Sequence, residues 1–223
     1  MPHFRTAVLR EVGGWDAFNV TEDADLGFRL ARSGYRSVTF DSTTFEEAPI
    51  RFRAWLKQRS RWMKGWLQTW CVHMRHPRQL WRDAGPAGFV TLNILAGGNI
   101  LTALAYPIVL YAFVAHAWSR IVAGIPGIDW PAPLYLVAFA SGCVSTIVVG
   151  IMGLARRRRL RDGWILTLTP VYWICLSMAA WRAVLQYVWN PYHWEKTTHG
   201  VVRRRAAPTR RGSPTGPANS HHR

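Results

Sequence analysis

The sequence predicts a soluble α/β segment followed by an α-helical transmembrane bundle, and three observations carry that prediction. Eight of the 12 acidic residues lie before Ala48, so the front of the chain is mixed in charge. No Asp, Glu, Lys or Arg occurs from Ala84 to Ser119, so the chain changes solvent near Ala84. Before that point the periodicity alternates. Leu26, Phe28, Leu30 and Ala31 fall on a helix over Ala24–Ser33 that stops at Gly34, and Arg36–Phe40 reads as a strand. With 223 residues there is room for part of a soluble domain and a few membrane helices.

Residues 1–50 form the soluble part. Thr21 is placed as a helix N-cap with Glu22, Asp23 and Asp25 in the first turn, where exposed backbone N–H groups favour carboxylates. Residues 51–84 are expected to form an amphipathic helix on the membrane surface. Arg51 to Arg82 hold nine Lys or Arg and no Asp or Glu, interleaved with Trp55, Trp62, Trp66, Trp70 and Trp81. That mixture suits anionic headgroups and the interfacial belt. A nucleic-acid surface has similar composition, but the apolar segments that follow hold this patch beside a bilayer.

Residues 85–190 supply the membrane helices. The apolar runs at about 87–118 and 132–155 each exceed the roughly 20 residues that a hydrocarbon core of about 30 Å requires. Gly97-Gly98 is expected to bend the first run. Arg156 to Arg161, five arginines in six positions, favours the cytoplasmic side. The third run, 164–189, contains Pro170 and Arg182 and reads as either a kinked crossing or a re-entrant or interfacial helix; the non-crossing form is favoured, since two crossings also return the basic residues after Arg203 to the cytoplasm. Residues 191–223 are expected to be a cytoplasmic loop and a disordered basic tail. No charged n-region with an apolar h-region follows Met1, so insertion is expected from the internal segments. Cys71, Cys143 and Cys175 lack metal or disulfide spacing, and the histidines show no ligand pattern.

Two motifs carry chemistry. The first is Thr21-Glu22-Asp23, in which Asp23 is a carboxylate able to take a proton from an attacking hydroxyl; helix capping is the alternative role for it. The second is Gln58-Arg59-Ser60-Arg61-Trp62, about one helix later. A guanidinium offers a rigid fork to phosphate oxygens, and an indole matches the C–H face of a sugar. The alternative is an interfacial helix whose Trp and Arg anchor it among headgroups, the role read for Lys57, Arg59, Trp66 and Trp70.

Together with the apolar segments, these motifs make the chain resemble the C-terminal portion of the membrane-embedded family 2 glycosyltransferases, in particular cellulose synthase-like processive polysaccharide synthases. The resemblance implies a GT-A-like, Rossmann-like α/β catalytic domain, of which residues 1–50 would be the acceptor-side part. It implies an inverting hexosyl transfer from a nucleotide sugar to a growing, exported β-linked polysaccharide. Asp23 would be the catalytic base, Arg61 the diphosphate contact and Trp62 the acceptor platform, with Glu22 and Gln58 also binding substrate. Trp194 to Gly200 resembles a gating loop, with Lys196, Thr197 and His199 as its candidates; an ordinary juxtamembrane connector is the alternative. The family's nucleotide-binding half, with its Mg²⁺ or Mn²⁺ ligands, has no counterpart in this sequence, and Asp23-Ala24-Asp25 is not read as that metal site. The chain therefore reads as N-terminally truncated and inactive alone, with a separate donor-binding half or accessory subunit as partner. The expected location is the inner (cytoplasmic) membrane, multi-pass, with the catalytic part in the cytoplasm and no nucleic acid bound. The rival readings are a non-catalytic membrane subunit of a glycosyltransferase complex and a membrane-anchored nucleic-acid binder.

Overall fold

The computed structural model of the chain describes residues 3–40, 42–44, 46, 48–124, 130 and 132–191. The α-helices are α1 (Thr6–Glu11), α2 (Glu22–Arg32), α3 (Phe52–His73), α4 (Pro77–Leu92), α5 (Asn99–Val122), α6 (Ala132–Arg156) and α7 (Thr169–Trp189). A π-helical segment, Asn93–Gly98, joins α4 to α5, and a 3-10 segment, Leu160–Leu168, leads into α7. Helix α2 stops where the sequence predicts. Gly34 takes φ +81°, which lets the Gly34 and Tyr35 N–H groups return to the carbonyls of Ala31 and Leu30.

The α/β expectation is overturned. Among the described residues there is no strand, and Arg36–Phe40 is irregular chain with Val38 and Phe40 exposed. A strand is stable only when a neighbour satisfies its row of N–H and C=O groups, and the described residues provide none. No GT-A-like, Rossmann-like sheet is formed by them. The described part of residues 3–50 is instead loop, α1 and α2, with α2 held on α3 and α4 by side chains.

The expected single amphipathic helix over residues 51–84 is also divided, at Met74–His76. Pro77 lacks an N–H and pushes the preceding residue out of helical geometry, and His76 lies at φ −128°, ψ 73°. Pro77 then starts α4, which kinks at Gly85 (φ 67°, ψ 178°) ahead of Pro86. The bend expected at Gly97-Gly98 takes the form of the π-helical segment. Trp70 packs against Gly97, and its Nε1–H donates to Asn93 Oδ1 at 3.1 Å. A large side chain from α3 thus wedges into the join between α4 and α5, a recognised cause of such irregularity.

Two apolar clusters hold the helices together. Met63 of α3, Ile100 and Ala103 of α5, and Ala180 and Ala183 of α7 form one; Leu80, Leu92 and Ala96 form the other. Trp66 packs against both, and Phe28 of α2 meets it edge-on. Trp66 and Trp70 are therefore half-buried packing residues rather than headgroup anchors. Small residues at Ala179, Ala180 and Ala183 let α7 approach closely, which is how helices associate where lipid removes the hydrophobic drive.

Among the described residues, three helical runs are long and apolar enough to cross a membrane: Pro77–Val122, Ala132–Arg156 and Leu160–Trp189. In the third, Pro170 lies in the first turn of α7, where its missing N–H costs nothing. Helix α7 runs alongside α3 in the same direction, with Trp55 against Tyr172 near the start and Lys64 bonded to Asn190 at the end.

A Cβ added at Gly97 would lie 2.7 Å from Trp70 Nε1. Gly97→Ala is therefore expected to destabilise the protein by about 1–3 kcal/mol in detergent thermal unfolding. Trp70→Phe in the same chain, which removes Nε1, should recover part of the loss.

Candidate functional site

Gln58, Arg61, Gly65 and Gln68 recur at spacings of three and four, so they share one face of α3, with Thr69 beside them. The Asn19–Thr21 segment runs back along the C-terminal half of that face. Asn19 Nδ2 donates to Thr69 Oγ1 at 3.0 Å, the Val20 N–H donates to Gln68 Oε1 at 3.2 Å, and the Thr21 side chain rests on Gly65. Asn19 Oδ1 also accepts the Thr21 N–H at 3.0 Å, which closes the turn on itself. All three residues are buried. Each step from Asn19 to Thr21 moves toward the N-terminus of α3, and the turn before Gly65, about 5.4 Å away, carries Arg61 and Trp62; beyond Thr21 the chain turns back, with Asp25 on His73.

The absence of a side chain at Gly65 is what permits this seating, because a Cβ there would overlap Thr21. Thr21 occupies the N-cap position of α2 but makes no side-chain capping bond. The carboxylates of the first turn then divide. Glu22 is half-buried, while Asp23 is exposed with Oδ1 accepting the Ala24 N–H at 2.9 Å. Asp25 is buried and receives Arg29 Nε at 2.8 Å and His73 Nε2 at 3.2 Å. Arg29 also donates to the carbonyls of Val12 and Gly14, at 2.7 and 2.6 Å.

The network continues into α4. Arg32 meets Asp83 at 2.6 Å and faces His73 Nδ1 at 3.2 Å. A hydrogen on His73 Nε2 satisfies both of its neighbours, since Arg32 can only donate. Burial pushes the Asp25 carboxyl up, but the hydrogen bonds from His73 and Arg29 and the Arg29 charge outweigh it and hold the group below its ordinary value.

On α3, Gln58 and Arg61 are half-buried and Trp62 is 38 % exposed. The Arg59 guanidinium lies over the Trp62 ring at 4.4 Å from its centroid and 5.8 Å from that of Trp55. Arg59, read from sequence as a headgroup anchor, thus covers one face of the indole. The spacing of Arg59 three residues before Trp62 and four after Trp55 is the signal for it. Lys64, Gly65 and Gln68 were also missed; their signal is the continuation of the Gln58 and Arg61 face for two more turns.

Lys196, Thr197 and His199 lie outside the described residues. Among the described residues no group of three His, Cys, Asp or Glu is placed to hold a metal, and the Asp25 carboxylate is taken up by Arg29 and His73. The residues present do not fit an Mg²⁺ or Mn²⁺ site, and no step below passes through one.

Residues 3–192 match the family model described as glycosyl transferase family group 2. The chain belongs to this family. It is 34 % identical over 62 residues to the probable glycosyltransferase YdaM of Bacillus subtilis (strain 168), an alignment that covers 27 % of this chain and 15 % of that relative. No solved structure matches the chain.

Two predictions test the seating of this family segment. Gly65→Ala is expected to cost about 1–3 kcal/mol despite its better helix propensity, and Thr21→Gly should relieve the clash. Because the Asp25 pKa is depressed by folding, its contribution is complete above the unfolded value of about 3.9 and lost as pH falls through the folded value. Acid unfolding below about pH 4 in the wild type should therefore lose its steepest component in Asp25→Asn, which will be less stable at neutral pH.

Proposed function

We propose that this chain is the acceptor side of an inverting, cellulose synthase-like hexosyltransferase that extends an exported β-linked polysaccharide from a nucleotide sugar. It would lie in the inner (cytoplasmic) membrane with its front segment in the cytoplasm. The observation that supports the reading is the seating of Thr21 on Gly65, which starts α2 one turn from Arg61 and Trp62.

In this reading the acceptor sugar stacks on the Trp62 face opposite Arg59, and Glu22 and Gln58 hold its hydroxyls. Asp23 takes the hydroxyl proton as that oxygen bonds to the anomeric carbon. The bond from that carbon to the donor diphosphate breaks, and the diphosphate leaves with the electron pair beside Arg61. One displacement inverts the anomeric centre. Asp23 suits the base role because its carboxylate is exposed and holds only a local N–H, whereas Asp25 is committed to α2 docking. A separate donor-binding half or accessory subunit supplies the nucleotide grip and the divalent cation, Mg²⁺ or Mn²⁺, that the described residues do not provide.

A non-catalytic membrane subunit is the second reading, and the absence of a metal-ligand cluster among the described residues favours it. The two separate in membranes containing the chain with its partner, assayed with nucleotide hexoses. Asp23→Asn is expected to lower kcat by about 10²–10⁴-fold with donor KM little changed, and Trp62→Ala to raise the acceptor KM. Full activity in Asp23→Asn would leave only the subunit reading. A product with the donor's anomeric configuration would exclude the single displacement.

A further inference from the structure

A buried polar junction beside the candidate site ties it to the end of α7. Gln68, 6 % exposed, commits both ends of its amide to backbone. Its Oε1 accepts the Val20 N–H at 3.2 Å, and its Nε2 donates to the Pro191 carbonyl at 2.9 Å. One turn earlier on α3, Lys64 is 1 % exposed and donates from Nζ to the Asn190 carbonyl at 2.6 Å. Asn190 is the C-cap of α7.

The carbonyls at a helix C-terminus have no intrahelical partners, and the dipole there favours a cation. Lys64 thus caps α7 with charge, which explains an ammonium placed where desolvation opposes it. Gln68 serves a second purpose. A primary amide holds an acceptor and a donor at fixed separation, so the Pro191 carbonyl and the Val20 N–H cannot move independently while both bonds stand. Val20 in turn leads directly into the Thr21 seat on Gly65.

We propose that Gln68 is a positioning residue that sets the Thr21–Asp23 turn by the place where α7 ends, with Lys64 as the tie that fixes that end. A displacement of α7 along α3 moves the Gln68 amide and hence the turn that presents Asp23. The kinetic consequence rests on the transferase reading above; the mechanical link does not.

Amide-resolved hydrogen exchange on the full chain in lipid nanodiscs tests the link. Gln68→Leu is expected to raise exchange at Val20 and Asn190 together by about tenfold or more, because the Val20 N–H loses its acceptor and the last turn of α7, closed by the Asn190 N–H on the Gln186 carbonyl, loses the tie at Pro191. Gln68→Glu keeps an acceptor for Val20 but no donor for Pro191, so it should raise exchange at Asn190 alone. Thr69→Val, which removes only the Asn19 contact, should leave Asn190 unchanged. Wild-type exchange at Asn190 in both Gln68 variants, or the same response from Thr69→Val, overturns the proposal. Gln68→Glu preserves size and gives the answer should Gln68→Leu fail to fold. Where the wild type transfers hexose, Gln68→Leu should lower kcat about tenfold with donor KM unchanged, and Gln68→Glu should recover part of it. If the wild type assembled with its donor-binding partner transfers none, the transferase reading fails and the exchange pattern alone decides the link.

Discussion

The contact on which the site depends is the close approach of Thr21 to Gly65. It brings a backbone turn against a helix axis at a distance only a glycine allows. Once that distance is set, Asn19 reaches Thr69, Val20 reaches Gln68, and α2 starts against Gly65 with Asp25 reaching His73. Among the described residues no sheet contributes to this arrangement, so a helix face and a few hydrogen bonds must do the work of alignment. Buried bonds of that kind are strong in place and costly when half made, which favours a single register over a range of them.

The second constraint is the partnership of α3 with α7. Helix α3 carries Arg59, Arg61 and Lys64 in succession, and a helix so charged cannot lie in hydrocarbon without protein to cover those groups. Helix α7 packs on α3 through small residues, and the Asn190 carbonyl at its end accepts from Lys64. The same pairing therefore gives the buried ammonium a partner and fixes the end of a long apolar helix. The shared direction of the two helices matters here, because it places the C-terminus of α7 beside the middle of α3, close to the turn that bears Gly65.

Much of the helical pattern was legible. The stop at Gly34, the uncharged run after Ala84 and the irregularity at Gly97-Gly98 each rest on local chemistry that a single sequence displays. The strand at Arg36–Phe40 was misread because its period-2 pattern marks only a capacity to pair, and pairing depends on chain that the pattern does not contain. The break at Pro77 was open to a stricter reading of what proline does to the residue before it. Within the site, Gln58, Arg61 and Trp62 stood out as a compact motif, whereas Gly65 and Gln68 are unremarkable in isolation. Their roles arise from segments about 45 to 120 residues away, and helical spacing points to the face without naming what lies on it.

The two aspartates of the first turn of α2 show how similar side chains two residues apart acquire opposite uses. Asp25 turns inward, where Arg29 and His73 compensate its burial, and from there Arg32 and Asp83 extend the linkage to α4. A carboxylate so held is a poor base, since taking a proton would cost it those partners. Asp23 projects outward, bonded to a neighbouring N–H that leaves its second oxygen available. The inward group is held rigid and the outward group stays exposed, and the first provides the second with a fixed platform. Helical geometry requires this division, because residues two apart point about 200° from one another and cannot serve one ligand together.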